Sequence, residues 1–219
     1  EEREQTVMLM VDASRSGSFG SFQQMKGEVG VEISALLAFA AVNNNDRVGL
    51  IIFTDVVEVF IPPEKGRKHV LRVIRELLYF EPKGARTDLA GALDHLIKVL
   101  RRRSVVFLIS DFIDKEFSRV IQQVRRRHDL VAVSLWDPRE RILPDVGFIN
   151  LEDAETGEQI VVDTRVSQIR EKFQRSQVDF ESGLSKLFKR VDVDHVSIDI
   201  TKSYVEPLVR LFSVRARRR

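Results

Sequence analysis

The chain has 219 residues, enough for one full-sized domain with a substantial core, and its 43% apolar and 31% charged residues are typical of a soluble globular protein. Its 35 basic and 33 acidic side chains nearly cancel, which excludes a strong overall field that would recruit nucleic acid or anionic lipid. The absence of cysteine excludes disulfides, thiolate metal sites and cysteine nucleophiles, and no apolar run approaches the roughly 20 residues of a membrane-spanning helix.

The chain opens with Glu1-Glu-Arg-Glu4 rather than with Met, and it enters an apolar strand pattern almost at once. We therefore expect a fragment of a longer protein. A cysteine-free chain without a signal peptide is compatible with a reducing compartment, so we expect the cytoplasm. Any association with a membrane would come from the part that precedes this sequence.

Strand and helix patterns alternate along the chain, which favours an α/β fold with a doubly wound, mostly parallel sheet and helices on both of its faces. The predicted strands of this sheet are 6–11, 47–53, 56–61, 105–109, 130–135 and 196–200. The predicted helices lie around 29–40, 69–80, 89–100, 117–124, 169–188 and 205–212. Pro62 and Pro63 are expected to end the third strand, and Ser203 with Glu206 should form a capping box before the last helix.

The pattern changes after Trp136, a residue that we expect to pack at the rim of the sheet. Two strands at 146–151 and 159–162 flank Glu155-Thr-Gly157, which predicts a β-hairpin. The long helix after it carries an apolar stripe formed by Ile169, Phe173, Phe180, Leu184, Leu187 and Phe188. Because no repeat or linker is visible, we predict one domain over 1–219, with its core at 5–136 and 164–214 and a hairpin insertion at about 139–163.

The most informative residues are Asp12, Ser14 and Ser16, which follow the first predicted strand at alternating positions. One carboxylate and two hydroxyl groups are hard oxygen donors of the kind that Mg²⁺ and Mn²⁺ prefer. Taken alone, the pattern is also typical of residues that cap a helix or tighten a turn. The rest of the chain decides between these interpretations.

Two later loops bring further oxygen donors to the same edge of the sheet. Asp111 follows the 105–109 strand, and the carboxyl ends of parallel strands share one edge. Thr87 precedes a helix, in a loop where Gly84 allows a close approach of the backbone. The predicted metal residues are Asp12, Ser14, Ser16, Thr87 and Asp111.

This order of motifs resembles the von Willebrand factor A domain with its metal-ion-dependent adhesion site, from the first strand to the end of the 130–135 strand. The resemblance implies that Ser14, Ser16 and Thr87 bind Mg²⁺ or Mn²⁺ directly, and that Asp12 and Asp111 act directly or through water. An open coordination position would accept an Asp or Glu of a partner protein. One position departs from the pattern, because Gly17 stands where many relatives have methionine.

A narrower resemblance is to bacterial domain-of-unknown-function 58 proteins. It is carried by residues 1–7, the stretch 16–21, Ser110-Asp-Phe112, the Pro207-Leu…Arg tail, and the hairpin with its long helix. These proteins accompany MoxR-type AAA+ ATPases, which implies an adaptor in the assembly or remodelling of protein complexes. Their members usually carry further sequence before this point.

A metal-dependent phosphoester hydrolase is the main alternative function, and a scaffold without metal is another. Two-metal phosphoryl transfer requires several acids around its ions. Asp88 and Asp114 are more simply explained as residues that support the starts of the helices following them. The sequence has no phosphate-binding loop and no histidine near Asp12, so we expect no enzyme.

The remaining charged clusters have simpler explanations than a ligand. The arginine runs 101–103 and 125–127 fall where two predicted helices end, and cations complement that end of the helix dipole, so we expect no nucleic-acid partner. His195 lies among several aspartates, and we interpret it as the solvated start of a strand rather than a second metal site.

Overall fold

The computed structural model describes residues 4–18, 20–21, 24–114, 117–152 and 158–217. The predicted hairpin turn at 155–157 lies outside these ranges, as do the first three residues and part of the stretch 16–21 that carried the narrower resemblance.

The described elements follow the predicted alternation of strands and helices. The strands are β1 (Thr6–Asp12), β2 (Gly20–Ser21), β3 (Gln24–Met25), β4 (Arg47–Phe53), β5 (Val57–Glu64), β6 (Val105–Ser110), β7 (Asp129–Trp136), β8 (Phe148–Glu152), β9 (Gln159–Asp163) and β10 (Asp194–Asp199). The α-helices are α1 (Lys26–Asn43), α2 (Arg67–Tyr79), α3 (Leu89–Val99), α4 (Ser118–Arg127), α5 (Ser167–Arg190) and α6 (Val205–Arg217). Within the described ranges, no helix combines the length and apolarity needed to cross a bilayer.

Six strands form the main sheet in the order β10-β7-β6-β1-β4-β5. All neighbours run parallel except β4 and β5, which are antiparallel. The chain order runs outwards from β1 in both directions, because β4 lies on one side of it and β6 on the other. The prediction of a doubly wound, mostly parallel sheet is therefore confirmed.

Both faces of the sheet are buried, because successive side chains of a strand point to opposite sides. On β1, Val7, Leu9 and Val11 face one helical layer, whereas Met8 and Met10 face the other. The first layer contains α1, α2 and α6, and the second contains α3, α4 and α5. Full burial of each such side chain contributes roughly 1.5–3 kcal/mol, so packing on both faces fixes the carboxyl end of β1.

The edge strand β5 departs from the prediction, because it continues through Pro62 and Pro63 to Glu64 instead of ending at them. Proline has no backbone N–H, so it is tolerated in a strand that pairs on one side only. Within the described chain, β5 pairs with β4 alone. A register shift between Val48 and Leu50 of β4 also falls opposite the two prolines, where the ladder is irregular.

The hairpin β8–β9 and helix α5 form the predicted elaboration, but much of their apolar surface is exposed. The two strands pair with each other and not with the main sheet. Of the predicted apolar stripe of α5, Leu184 and Phe188 are buried, whereas Ile169 and Phe180 are exposed. The core therefore covers this helix only near its C-terminal end.

Helix α6 is also less buried than predicted. Leu208 packs into the core. The other residues that we expected to face inward are exposed: Val205, Val209 and Phe212. The predicted capping box forms only in part, because the Ser203 hydroxyl accepts a long hydrogen bond of 3.4 Å from the N–H of Val205, while Glu206 pairs with Arg210 one turn later.

Candidate metal centre

The carboxyl ends of β1 and β6 meet where the strand order reverses, which is the place where open α/β sheets bind ligands. Val11 of β1 lies beside Ile109 of β6, so Asp12 and Ser110 leave the two strands side by side. Asp111 then begins the loop after β6. The structure thus brings the two predicted aspartates into one crevice.

Asp12 is held by an amide and a hydroxyl donor. Its Oδ1 accepts a hydrogen bond from the backbone N–H of Ser14 at 2.9 Å, and its Oδ2 accepts one from the hydroxyl of Ser110 at 2.6 Å. Burial of the carboxylate, followed by the nearby charge of Asp111, raises the pKa of Asp12 to about 6 despite these hydrogen bonds. A cation bound at this site would counteract both causes.

The two predicted serines lie in the loop after β1, with Ser16 inside a short 3-10 turn at Arg15–Ser18. Ser14 and Ser16 are both buried, and their hydroxyl oxygens are 2.9 Å apart. Each hydroxyl has one hydrogen and two acceptor lone pairs, so this pair retains free lone pairs after bonding to each other. Those lone pairs are available to a metal ion.

Asp111 stands on a turn with an unusual backbone conformation. The next residue, Phe112, is fully buried and has a φ of +59°. The N–H of Phe112 donates to the hydroxyl of Ser110 at 2.9 Å, and the N–H of Ile113 donates to Asp111 Oδ1 at 3.2 Å. A positive φ in a bulky residue costs roughly 1–3 kcal/mol, and packing of Phe112 against Phe188, with ring centroids 5.1 Å apart, offsets that cost.

A cavity of about 20 Å³ lies between these side chains, close to the space that one water molecule or ion needs. Its lining includes Asp12, Ser14, Ser16 and Asp111, together with Lys26. Among the described residues, no cluster of three or more His, Cys, Asp or Glu side chains is arranged to hold a metal ion. The cavity instead combines two carboxylates with hydroxyl groups, a donor set that fits Mg²⁺ or Mn²⁺.

The fifth predicted residue, Thr87, lies in an adjoining loop and does not line this cavity. Its loop contacts the serine loop directly, because the N–H of Arg15 donates to the carbonyl of Ala85 at 3.0 Å. The hydroxyl of Thr87 is buried and has no hydrogen-bond partner among the described residues. Since an unpaired buried hydroxyl costs about 1–3 kcal/mol, a bound ion or water is the simplest way to satisfy this oxygen.

Close backbone contacts position the loop that carries this threonine. Glu58 of β5 accepts hydrogen bonds from the N–H of Lys83 and of Gly84, each at 3.0 Å, and from the hydroxyl of Thr54 at 2.7 Å. A Cβ atom at Gly84 would overlap the side chains of Thr54 and Asp55. The prediction that a glycine permits a close approach of this loop is therefore confirmed.

Lys26, the first residue of α1, is the main site residue that the sequence did not reveal. Its Nζ donates to Asp111 Oδ2 at 2.7 Å and to Glu140 Oε1 at 2.6 Å, and the residue is only 2% exposed. Burial by itself lowers the pKa of Lys26, but Asp111 and then Glu140 more than compensate and raise it. A lysine at a helix start is ordinarily solvated, so nothing in the sequence marks Lys26 as a site residue. Ser110 also belongs to the site, and its position next to Asp111 after an apolar strand could have indicated it.

Two further acids support the start of α3. Asp88 caps this helix as predicted, because its carboxylate accepts from the N–H of Gly91 at 2.8 Å. The prediction that Asp114 caps the following helix is wrong, since Phe117 holds the N-cap position of α4. Asp114 Oδ2 instead accepts from the N–H of Leu89 at 2.8 Å. The first N–H groups of a helix have no intrahelical acceptor, and the turn after Asp111 carries Asp114 to them.

The prediction that His195 lies at the start of a strand is confirmed, because β10 begins at Asp194, but the residue is half-buried rather than solvated. Its Nε2 is 2.8 Å from the hydroxyl of Ser134, and its ring packs against Phe188 with centroids 4.7 Å apart. Burial lowers the pKa of His195 to about 4. The neighbouring aspartates pair with cations instead: Asp192 with Arg125, Asp194 with Arg215 and Asp199 with Lys202.

A groove of about 1880 Å³ opens beside the small cavity. It begins at Ser16 and Asp111, passes Trp136 at the end of β7, and continues between β10, the β8–β9 hairpin, α5 and α6. The guanidinium of Arg141 lies over the Trp136 ring, 3.0 Å from its centroid. Trp136 therefore packs at the rim of this groove.

The mostly parallel sheet, its two helical layers and the crevice at the ends of β1 and β6 define a doubly wound α/β domain. Two solved structures share this architecture. Conserved hypothetical protein BatB from Bacteroides thetaiotaomicron matches with a TM-score of 0.65 at 14% identity, covering 97% of this chain and 98% of that one. An aerotolerance-related membrane protein from Bacteroides fragilis, carrying multiple mutations to serine, matches with a TM-score of 0.61 at 15% identity, covering 89% and 92%. At these identities the likeness concerns the fold alone.

The chain belongs to the family described as "Protein of unknown function DUF58", which matches residues 1–182. Uncharacterized proteins of Mycobacterium tuberculosis and Mycobacterium bovis are each 29% identical to it over 220 residues, covering 99% of this chain and 69% of theirs. The resemblance noted in the sequence is thereby confirmed at the level of the family, and the association with an ATPase stays a prediction.

Proposed function

We propose that this chain is a metal-dependent protein-interaction module, in which Mg²⁺ or Mn²⁺ links it to an Asp or Glu of a partner protein. The observation that carries the proposal is the ion-sized cavity at the strand-order switch, lined by carboxylate and hydroxyl oxygens. The residues that would hold the ion are Asp12, Ser14, Ser16 and Asp111, with Thr87 as a further donor from the adjoining loop. When bound, the ion would supply a Lewis-acid position for the partner's carboxylate.

The chain's own residues prepare this site. Ser110 orients Asp12 through its 2.6 Å hydrogen bond, and such outer contacts fix the direction of ligand oxygens. The groove that starts at Ser16 and Asp111 offers a partner an apolar surface next to its bound carboxylate. The metal would therefore select for an acidic residue of the partner, and the groove would select for the residues next to that acid.

We propose binding rather than catalysis, because two groups that could assist acid–base chemistry, His195 and Asp114, are engaged elsewhere. His195 is bonded to Ser134 outside the cavity lining, and Asp114 is bonded at the start of α3. The hydrolase alternative requires metal-dependent turnover of generic phosphoesters that is lost in Asp12→Ala. A phosphatase assay of the wild type and of Asp12→Ala, with Mg²⁺ and with Mn²⁺, distinguishes the hydrolase from the interaction module.

A scaffold without metal is the second candidate, and one observation favours it. The ammonium of Lys26 already neutralises Asp111 at a distance of 2.7 Å. In that case the hydroxyls and the cavity would be relics of a binding site, and no divalent ion would stabilise the fold.

Membership of this family supports a MoxR-type AAA+ ATPase as the partner, because the related proteins accompany such enzymes. The chain would then act as an adaptor in the assembly or remodelling of protein complexes at the cytoplasmic side. Co-precipitation of the ATPase with this chain in Mg²⁺, compared with EDTA, tests the partner.

The metal claim is tested by thermal unfolding in EDTA, in Mg²⁺ and in Mn²⁺, for the wild type and for Asp12→Ala. An ion that binds only the native state stabilises it, by roughly 2.7 kcal/mol when its concentration is about 100 times its Kd. We expect a metal-dependent rise of the melting temperature in the wild type and none in Asp12→Ala.

Asp46→Ala is the matched control. Asp46 also accepts a backbone hydrogen bond, from Gln5 at 2.8 Å, but it lies at the opposite end of β1. This variant should melt at a lower temperature and keep the full metal-dependent rise. A wild type that does not respond to either ion would refute the metal-dependent function and leave the scaffold.

A further inference from the structure

Lys26 is an unexpected residue for its position. It is the first residue of α1 and only 2% exposed, so its ammonium lies buried at the positive end of a helix dipole. A buried charge is costly unless it is paired, and removal from water is unfavourable for a cation even then. Its presence there therefore calls for an explanation beyond ordinary packing.

Two carboxylates face the ammonium from separate loops. Asp111 Oδ2 accepts at 2.7 Å and Glu140 Oε1 accepts at 2.6 Å. Glu140 is itself fixed, because its Oε2 accepts from the N–H of Asp137 at 3.1 Å and it closes the capped 3-10 turn at Pro138–Glu140. We name this arrangement of Asp111, Lys26 and Glu140 the Lys26 bridge.

The Lys26 bridge reaches into the candidate metal centre. Lys26 lines the same cavity of about 20 Å³ as Asp12, Ser14, Ser16 and Asp111. An ammonium and a divalent ion in so small a space repel each other, and both are attracted by the carboxylate of Asp111. Glu140 offers the ammonium an alternative acceptor, so Lys26 can remain paired after leaving Asp111.

We propose that Lys26 is an internal competitor of the divalent ion for Asp111, and that Glu140 permits ion binding by retaining the displaced ammonium. This inference rests on the proposed function and adds its regulation. In the absence of an ion, Lys26 keeps Asp111 neutralised and the centre closed. An ion binds when Asp111 exchanges the ammonium for it, which makes the affinity of the centre depend on the position of Glu140.

The proposal predicts effects of opposite sign for the two ends of the bridge. Lys26→Gln removes the competing charge but keeps a hydrogen-bond donor, so it should tighten Mn²⁺ binding by at least about threefold, within the range of couplings between neighbouring groups. Among the described residues, Glu140→Gln leaves Lys26 with Asp111 as its one charged partner, so it should weaken Mn²⁺ binding by a similar factor. Lys26→Arg keeps the charge and should remain closer to the wild type than Lys26→Gln.

The double variant separates competition from a simple loss of negative charge. If Glu140 acts through Lys26, then Lys26→Gln/Glu140→Gln should bind Mn²⁺ as tightly as Lys26→Gln alone. If Glu140 merely attracts the ion, its substitution should weaken binding in both backgrounds. Dissociation constants from isothermal titration with Mn²⁺, on proteins whose melting in EDTA is cooperative, give all four corners of this cycle.

Each result decides the proposal. The proposal is supported if Lys26→Gln binds Mn²⁺ more tightly than the wild type and the double variant binds it as tightly as Lys26→Gln. It is also supported if the wild type binds no Mn²⁺ and Lys26→Gln does. That second result would refute only the metal-dependent function of the wild type. Equal or weaker binding in Lys26→Gln overturns the Lys26 competition and leaves the proposed function standing. Absence of binding in both proteins overturns both ideas. Should Lys26→Gln fail to fold, Lys26→Met takes its place in the single and the double variant. Glu140→Gln, altered on a partly exposed side chain, overturns the proposal by itself if it leaves Mn²⁺ binding unchanged or tighter.

Discussion

At the level of single residues, Thr87 differs from the other candidate ligands because its hydroxyl oxygen is buried without a hydrogen-bond partner in the described part of the chain. The hydroxyls of Ser14 and Ser16 bond to each other, and both carboxylates have donors. An unsatisfied hydroxyl destabilises the folded protein by about 1–3 kcal/mol. Such a cost is explained if the oxygen has a ligand under working conditions.

Thr87→Val should therefore act in opposite directions with and without metal. Valine has nearly the shape of threonine, so in EDTA the variant should be about 1 kcal/mol more stable than the wild type, because no polar atom is left unpaired. On going from EDTA to saturating Mn²⁺, the free energy of unfolding should rise less in Thr87→Val than in the wild type. Urea unfolding under both conditions measures the two differences.

Thr164→Val is the matched control for this substitution. Thr164 is also fully buried, but its hydroxyl donates to the carbonyl of Gly147 at 2.7 Å and accepts from Val146 at 3.1 Å. Loss of a satisfied hydroxyl should lower stability equally in EDTA and in Mn²⁺. A Thr87→Val protein that behaves like this control would remove Thr87 from the metal centre.

At the level of elements, the sequence predicted the ends of buried strands better than the surroundings of the helices. Short apolar runs such as 105–109 are typical of strands in a sheet covered on both faces, so the polar residues that follow them, Asp12 and Asp111, were expected at its carboxyl edge. The stripe of α5 was recognisable from its period, but periodicity does not show whether another element covers it. Phe180 is exposed for that reason, while Phe188 is not.

The candidate site could be predicted where it depends on strand ends, but not where it depends on contacts between distant parts of the chain. Loops that follow adjacent parallel strands must meet, which placed Asp12 and Asp111 in one crevice. The contact of Lys26 with Glu140 joins residues 114 positions apart, and it depends on the path of the chain between them. No local pattern encodes such a contact, and the same applies to the half-buried position of His195.

Two phenylalanines of α5 should differ sharply in their contribution to stability. Phe188 is fully buried between Phe112 and His195, so Phe188→Ala should lower the free energy of unfolding by about 3–5 kcal/mol. Phe180 is 40% exposed, so Phe180→Ala should cost less than about 1 kcal/mol. Urea midpoints at constant m-value test the contrast. Equal costs would mean that another part of the protein covers the open stretch of α5.

At the level of the whole molecule, acid stability depends on groups whose pKa values differ between the folded and unfolded chain. Burial lowers the pKa of His195 from 6.5 to about 4, so between these values the unfolded chain binds a proton that the folded protein does not. Unfolding is therefore favoured as the pH falls through this range. Asp12, whose pKa is raised from 3.8 to about 6, has the opposite effect in the metal-free protein. The dependence of wild-type stability on pH is therefore the sum of both contributions, that of His195 and that of Asp12.

A comparison of variants isolates the histidine. At pH 7, His195→Gln should be less stable than the wild type because the packing against Phe188 is reduced. By pH 5 this difference should shrink by about 2 kcal/mol, since the wild type alone must leave a buried imidazole uncharged. Ser134→Ala removes the hydrogen bond but keeps the ring buried, and burial is the cause of the shift, so its cost should not change with pH in this way. Urea unfolding in EDTA at both pH values measures these differences, and a constant penalty for His195→Gln would show that the imidazole is solvated enough to accept its proton in the folded protein.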